Sequence, residues 1–191
     1  MRASIFILLS LLLIGCGQGK QEMQLYGADV TGTEISGAFE LRDHTGKVRH
    51  LEDFQGKLVA VFFGYTHCPD VCPTTMLALA DAMKLLGKQA EQVQVLFVTV
   101  DPERDTQQVL AQYVPSFYPG FIGLYGTEAQ LKSTASHYRV MYAKQAVEGG
   151  GAYTVDHSAG VYLFDRNGKI RAYLKHDQSP EQLAHDITQF F

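Results

Sequence analysis

Six consecutive apolar residues, Leu58-Val59-Ala60-Val61-Phe62-Phe63, set the first limit on how this chain folds. A strand with one wet face alternates apolar and polar side chains, so a run without alternation must be covered on both faces. A second, mainly apolar run with Gln94 and Thr99 as its polar members spans residues 93–100. Between the two, Leu77, Leu79, Ala80, Met83 and Leu86 fall at helical spacing, which predicts a helix over 74–86. Buried strands alternating with helices predict an α/β layered domain with crossover connections. Further helical patterns cover 106–114 and 127–138. Residues 160–164 and 169–174 read as alternating strands around the turn Asp165-Arg166-Asn167-Gly168. Ser179-Pro180-Glu181 opens a last helix, with Ser179 as N-cap and Pro180 at the first helical position. Upstream, 38–41 and 48–51 flank Asp43-His44-Thr45-Gly46 as an N-terminal β-hairpin extension. The expected class is α/β, a central sheet flanked by helices. At 191 residues the chain is long enough for one domain with a full core. A net charge of −4 supplies no basic footprint for nucleic acid.

The first residues read as an export signal rather than as part of this fold. Arg2 precedes an almost unbroken apolar run over 5–14, well short of the ~20 residues a membrane-crossing helix needs. The run ends in Leu13-Ile14-Gly15-Cys16, which resembles a bacterial lipobox. That resemblance implies cleavage before Cys16 and a diacylglycerol on its sulfur. At ~0.8 kcal/mol per buried methylene, several acyl chains hold a protein firmly at a membrane. An ordinary signal peptide with an incidental Cys16 is the alternative. The expected organisation is therefore a signal peptide over 1–15, a lipid-anchored tether over 16–34 and the folded domain over 35–191. The expected location is extracytoplasmic, as a membrane-anchored lipoprotein.

Of three cysteines, lipidation of Cys16 leaves one pair, Cys68 and Cys72, in a compartment that permits disulfides. A bridge across three intervening residues closes almost no loop and stabilises little, so the pair reads as chemical rather than structural. It sits at the turn from the first buried strand into a helix, which by analogy makes the fold thioredoxin-like. Pro69 suits a first helical position, placing Cys68 at the N-cap, where amide donors and the helix dipole favour thiolate. Two thiolates four residues apart can converge on one metal ion or meet in a redox disulfide. Such soft ligands suit Cu(I), and an added imidazole suits Cu(II). A structural zinc site wants four protein ligands, and no convincing fourth is present.

Seven histidines compete to be the third ligand. His44, His50, His137, His176 and His185 read as exposed surface residues. His67 adjoins Cys68, and adjacent side chains usually diverge. His157 lies in 155–159, a loop entering the strand at 160–164. Thioredoxins place a cis-proline at the equivalent loop, against the cysteine turn, so the imidazole here faces the sulfurs; a core or surface histidine is the alternative. Asp101 ends the second buried strand, at the sheet edge where open α/β folds place functional groups. It either orients His157 or tunes the thiolates from outside the ligand set, or else caps a turn. Met76 offers a soft sulfur four residues after Cys72, although its spacing is that of a helix core position.

Gly64-Tyr65-Thr66-His67-Cys68-Pro69-Asp70-Val71-Cys72-Pro73 resembles the signature of the SCO/SenC family of copper-delivery proteins for cytochrome oxidase. Val100-Asp101-Pro102-Glu103-Arg104-Asp105-Thr106 and Asp156-His157-Ser158 match two further family motifs in order, and the resemblance runs from about Ile35 to the C-terminus. It implies copper bound by Cys68, Cys72 and His157, with Asp101 beside the site. It further implies delivery to the binuclear CuA centre of oxidase subunit II, with a periplasmic copper donor upstream. Many relatives are held by a transmembrane helix, whereas this chain carries the lipobox. The expected role is that of a binding protein and assembly factor rather than a turnover enzyme. The alternative is an extracytoplasmic thiol–disulfide oxidoreductase that reduces the cysteines of the CuA site or of another exported protein. Metal binding has a use for His157, while disulfide exchange needs only the sulfurs. Thioredoxin-type exchange also normally uses two intervening residues rather than three. The Pro-x-x-x-Thr-x-x-Cys pattern of peroxiredoxins is absent.

Overall fold

A computed structural model describes residues 23–147 and 152–191. The signal segment, Cys16 and the Gly149-Gly150-Gly151 stretch lie outside the described residues. The order is β1 (Ala28–Asp29), β2 (Leu41–Asp43), β3 (Val48–Arg49), β4 (Leu58–Gly64), α1 (Val71–Leu86), β5 (Val93–Thr99) and α2 (Gln107–Phe117). There follow β6 (Ile122–Tyr125), α3 (Glu128–Tyr138), β7 (Tyr142–Ala146), β8 (Tyr153–His157), β9 (Val161–Phe164), β10 (Ile170–Leu174) and α4 (Pro180–Thr188).

Strands β4 and β5 lie at the centre of an eight-stranded sheet of order β1-β10-β9-β4-β5-β6-β2-β3. They pair in parallel from Leu58 opposite Val93 to Gly64 opposite Thr99. Every residue of both is buried, as the apolar runs require. Strand β6 continues the parallel set, and β9 returns antiparallel to β4. Helices α1 and α4 pack together, while Tyr138 of α3 meets Phe63, Tyr162 and Phe164 edge-on. The hairpin β2–β3 forms as expected and joins the sheet through β6. This is the thioredoxin-like α/β architecture. Thr106, Thr127 and Ser179 cap their helices by accepting from Val109, Gln130 and Gln182 amides.

Several elements depart from expectation, each for a local reason. Helix α1 starts at Val71 with Asp70 as N-cap, so Cys68 precedes the helix instead of capping it. Pro73 is then the third helical residue, where an amide has no helical acceptor and its absence costs nothing. Strand β9 is buried at every residue rather than alternating, with Tyr162 and Phe164 packed against Tyr138 of α3. Residues 155–157, read as loop, are the end of β8, which pairs with β7 as a separate two-stranded ribbon. Residues 26–29, which fall within the segment expected to be a tether, are fastened to the domain. Tyr26 and Gly27 amides donate to buried Asp186 at 2.9 and 2.8 Å, and β1 pairs with β10.

Candidate metal centre

The cysteine turn begins where β4 leaves the sheet. Gly64 is required there, because a Cβ at that position would stand 3.0 Å from Cys72 Sγ and 2.9 Å from Phe97 Cε2. Beyond it the chain is fastened to the loop after β5. The Thr66 amide and hydroxyl donate to Asp105 at 3.0 and 2.6 Å, and the Thr99 hydroxyl donates to the same carboxylate at 2.6 Å. The Cys68 amide closes the turn onto the Tyr65 carbonyl at 3.2 Å. Both cysteines are free thiols, Cys68 partly buried and Cys72 wholly so. The Cys72 amide points at Cys68 Sγ, 3.5 Å away.

Strand β8 delivers the third group. His157 Nε2 lies 3.3 Å from Cys72 Sγ, and the ligating atoms of Cys68, Cys72 and His157 all fall within 4.8 Å of one another. A trigonal ion with bonds of ~2.2 Å separates its donors by about 3.8 Å, so the Cys72–His157 pair at 3.3 Å would open slightly and no pair, all lying within 4.8 Å, would move far. His157 Nδ1 meets the Ser158 carbonyl at 3.1 Å. A carbonyl only accepts, so Nδ1 carries the proton and the Nε2 lone pair faces the sulfur. Phe62 and Tyr65 meet the imidazole edge-on and fix its plane. Burial pushes the Cys72 thiol far above its ordinary range and the His157 imidazolium below its own. Without metal the pair is therefore a neutral thiol donating to a neutral imidazole.

Asp101 is fully buried, as befits the end of a central strand, but it does not touch His157. It accepts from Arg104 Nε and, at 2.7 Å, from the Tyr153 hydroxyl. Arg104 lies flat over the Tyr153 ring at 3.6 Å and donates from Nη1 to the Tyr153 carbonyl at 3.1 Å. Lys144 on β7 reaches Glu103 at 2.7 Å. Asp101 and Arg104 thus clamp the start of the strand whose end carries His157. Arg104→Ala would strand a buried carboxylate and free the Tyr153 ring. The expected loss is about 3 kcal/mol, read as a lowered urea midpoint, and Arg104→Lys should recover it only in part because lysine lacks the planar fork. An unchanged midpoint for Arg104→Ala would remove the clamp from this account.

The remaining candidates separate cleanly. His67 turns from the sulfurs to Thr66 Oγ1 at 3.1 Å and towards Asp105. Met76 is fully buried in the core of α1, as its spacing implies. His44, expected to be merely solvated, accepts the Gly123 amide at 3.0 Å and so covers the sheet at β6. Sequence reasoning noted the 100–106 motif but assigned no role to Arg104 or Asp105, and it passed over Tyr153. Arg104 and Asp105 were legible as charges repeated in a family motif; the tyrosine carried no local signal.

Fold and site together define a thioredoxin-like domain with two thiols and one imidazole converging at the sheet edge. The SCO1/SenC family model matches residues 28–191, and the chain belongs to that family. The SCO2-like protein of Rickettsia felis is 39% identical over 154 residues, covering 78% of this chain and 74% of its own. Among solved structures, ScoI of Bradyrhizobium japonicum with copper bound is 39% identical with a TM-score of 0.76, covering 82% of this chain and 99% of its own. Apo Sco1 of Thermus thermophilus is 36% identical with a TM-score of 0.79, covering 90% and 99%.

Proposed function

We propose that this protein carries one copper ion on Cys68 Sγ, Cys72 Sγ and His157 Nε2 and delivers it to the CuA centre of cytochrome c oxidase subunit II. The observation that carries this reading is the His157 lone pair held 3.3 Å from a buried sulfur, a donor that disulfide exchange has no need of. Two thiolates satisfy Cu(I), and the imidazole extends the set to Cu(II). The copper-bound state of the Bradyrhizobium relative supports the same choice of metal. Binding displaces the thiol protons, so uptake releases protons and strengthens as pH rises. Cys68 is the less buried of the two cysteine residues, and ligand exchange with an acceptor thiolate begins there. The test is titration of the reduced protein with Cu(I) and Cu(II), beside a variant lacking both thiols. About one copper with thiolate-to-Cu(II) charge-transfer absorption is expected, and a wild type that holds no copper overturns the reading.

One observation favours a second reading. A partly exposed Cys68 beside a buried Cys72 is the arrangement of an attacking and a resolving thiol. A reductase acting on the CuA cysteines, or on another exported protein, would use the same pair.

We place the protein on the extracytoplasmic side, held to the membrane by a lipid on Cys16. Among the described residues no helix is long and apolar enough to cross a membrane. Cys16→Ser should release the protein from membranes, or stall its processing, and leave copper binding by the purified domain unchanged. A Cys16→Ser protein that is fully processed and still fractionates with membranes sinks the lipid anchor.

A further inference from the structure

Asp105 lies buried on the loop between β5 and α2, and its carboxylate gathers donors from two separate segments. From the cysteine turn come the Thr66 hydroxyl at 2.6 Å on Oδ1 and the Thr66 amide at 3.0 Å on Oδ2. From the end of β5 comes the Thr99 hydroxyl, at 2.6 Å on Oδ2. The loop that carries the carboxylate is itself closed. The Asp101 amide donates to Thr99 Oγ1 at 2.9 Å, and the Asp105 amide donates to the Asp101 carbonyl at 3.0 Å.

The three ligating groups differ in how they are held. Cys72 is wholly buried within α1. His157 is set by the Phe62 and Tyr65 rings and by the Ser158 carbonyl. Cys68 precedes α1, is only partly buried, and rides on the turn between β4 and the helix. The bond from its amide to the Tyr65 carbonyl closes that turn on itself. The bonds from Thr66 to Asp105, two positions before the cysteine, tie the turn to the sheet. We infer that Asp105 is a positioning residue that sets Cys68 Sγ against Cys72 and His157 by pinning Thr66 to the end of β5. For its effect on metal the inference rests on the copper site proposed above; for its effect on the thiol it does not. Cu(II) is the sensitive state, because it takes all three donors at once, and donors are held to such geometry by the hydrogen bonds behind them.

Thr66→Val is the sharpest test. It removes the hydroxyl at nearly constant shape and leaves the Asp105 carboxylate in place, so its effect is one of position rather than charge. In the reduced, copper-free variant, iodoacetamide should alkylate Cys68 several-fold faster than in wild type, with the rate at Cys72 unchanged. In the copper-loaded variant the thiolate-to-Cu(II) band should lose intensity, and Cu(II) affinity should fall ~10-fold, the low end for a hydrogen-bonding neighbour of a ligand. Thr66→Ser restores the hydroxyl and should return all three readings to those of wild type. Should Thr66→Val not fold, Asp105→Asn cuts the same pin at its other partner and carries the same expectations. A hydroxyl that served stability alone would lower the melting temperature of Thr66→Val, while well below melting the Cys68 rate and the Cu(II) band stayed as in wild type. That result overturns the inference and leaves the copper site standing, as does a Thr66→Ser variant that restores nothing. A wild type without charge-transfer absorption sinks the copper reading, and the alkylation rates alone then decide the role of Asp105.

Discussion

The double variant Cys68→Ala, Cys72→Ala is expected to lose copper binding in both oxidation states, together with the charge-transfer absorption. Even outer partners of a metal ligand are worth ~10–100-fold in affinity, and removing a ligand outright exceeds that, so losing two of three should weaken binding by about 10⁴ or more. The fold should survive. Cys72 is buried, but Ala leaves only a small cavity, and Cys68 is partly exposed. The comparison is equilibrium dialysis and absorption of the reduced proteins, with denaturation midpoints as the control for folding. Retained Cu(II) binding with undiminished absorption would place the copper elsewhere and dismiss the three-residue centre.

The legible parts of this protein were those whose signal is local. Strands β4 and β5 announce themselves because burial on both faces abolishes alternation over seven residues each. The helix cap at Ser179 was legible for a similar reason, since its side-chain oxygen and the amide it accepts from lie three residues apart. The β7–β8 ribbon was missed because β7 is largely exposed and lacks a buried stripe. β1 was missed because two residues carry no periodicity, and its place is fixed by Asp186, some 160 positions away. The start of α1 was misplaced by reading Pro69 as the first helical residue when Pro73 occupies the first turn.

The site divides in the same way. The cysteines and His157 could be assigned from spacing, from motif and from the topology of the sheet edge. What holds them could not. The Arg104 contact with Tyr153 spans 49 positions, and the bond from Thr66 to Asp105 spans 39. Nothing in the local pattern of either segment specifies its partner. Asp101 shows the difference clearly. Its place just beyond a buried strand was legible, but its bond to Tyr153 required the fold.

Replacing His157 with Ala should separate the two functions open to this pair of thiols. Cu(I) is content with two thiolates, so its affinity should fall less than about tenfold, whereas Cu(II) favours imidazole and should lose ~100-fold or more. The loss is expected to be local. Asp101 and Arg104 grip Tyr153 at the far end of β8, so the strand should stay in place when the imidazole is gone. Cys72 would lose the acceptor of its thiol hydrogen, a modest effect for a weak S–H donor. Disulfide exchange should persist, because both sulfurs are retained. In a cell whose oxidase depends on this protein, a copper-delivery role then predicts defective CuA assembly in the His157→Ala strain under limiting copper. A purely reductive role predicts nearly normal assembly. The measurement is oxidase activity and CuA absorption at matched levels of exported protein. Normal assembly would assign the cysteines to reduction of a partner and leave His157 without a part in delivery.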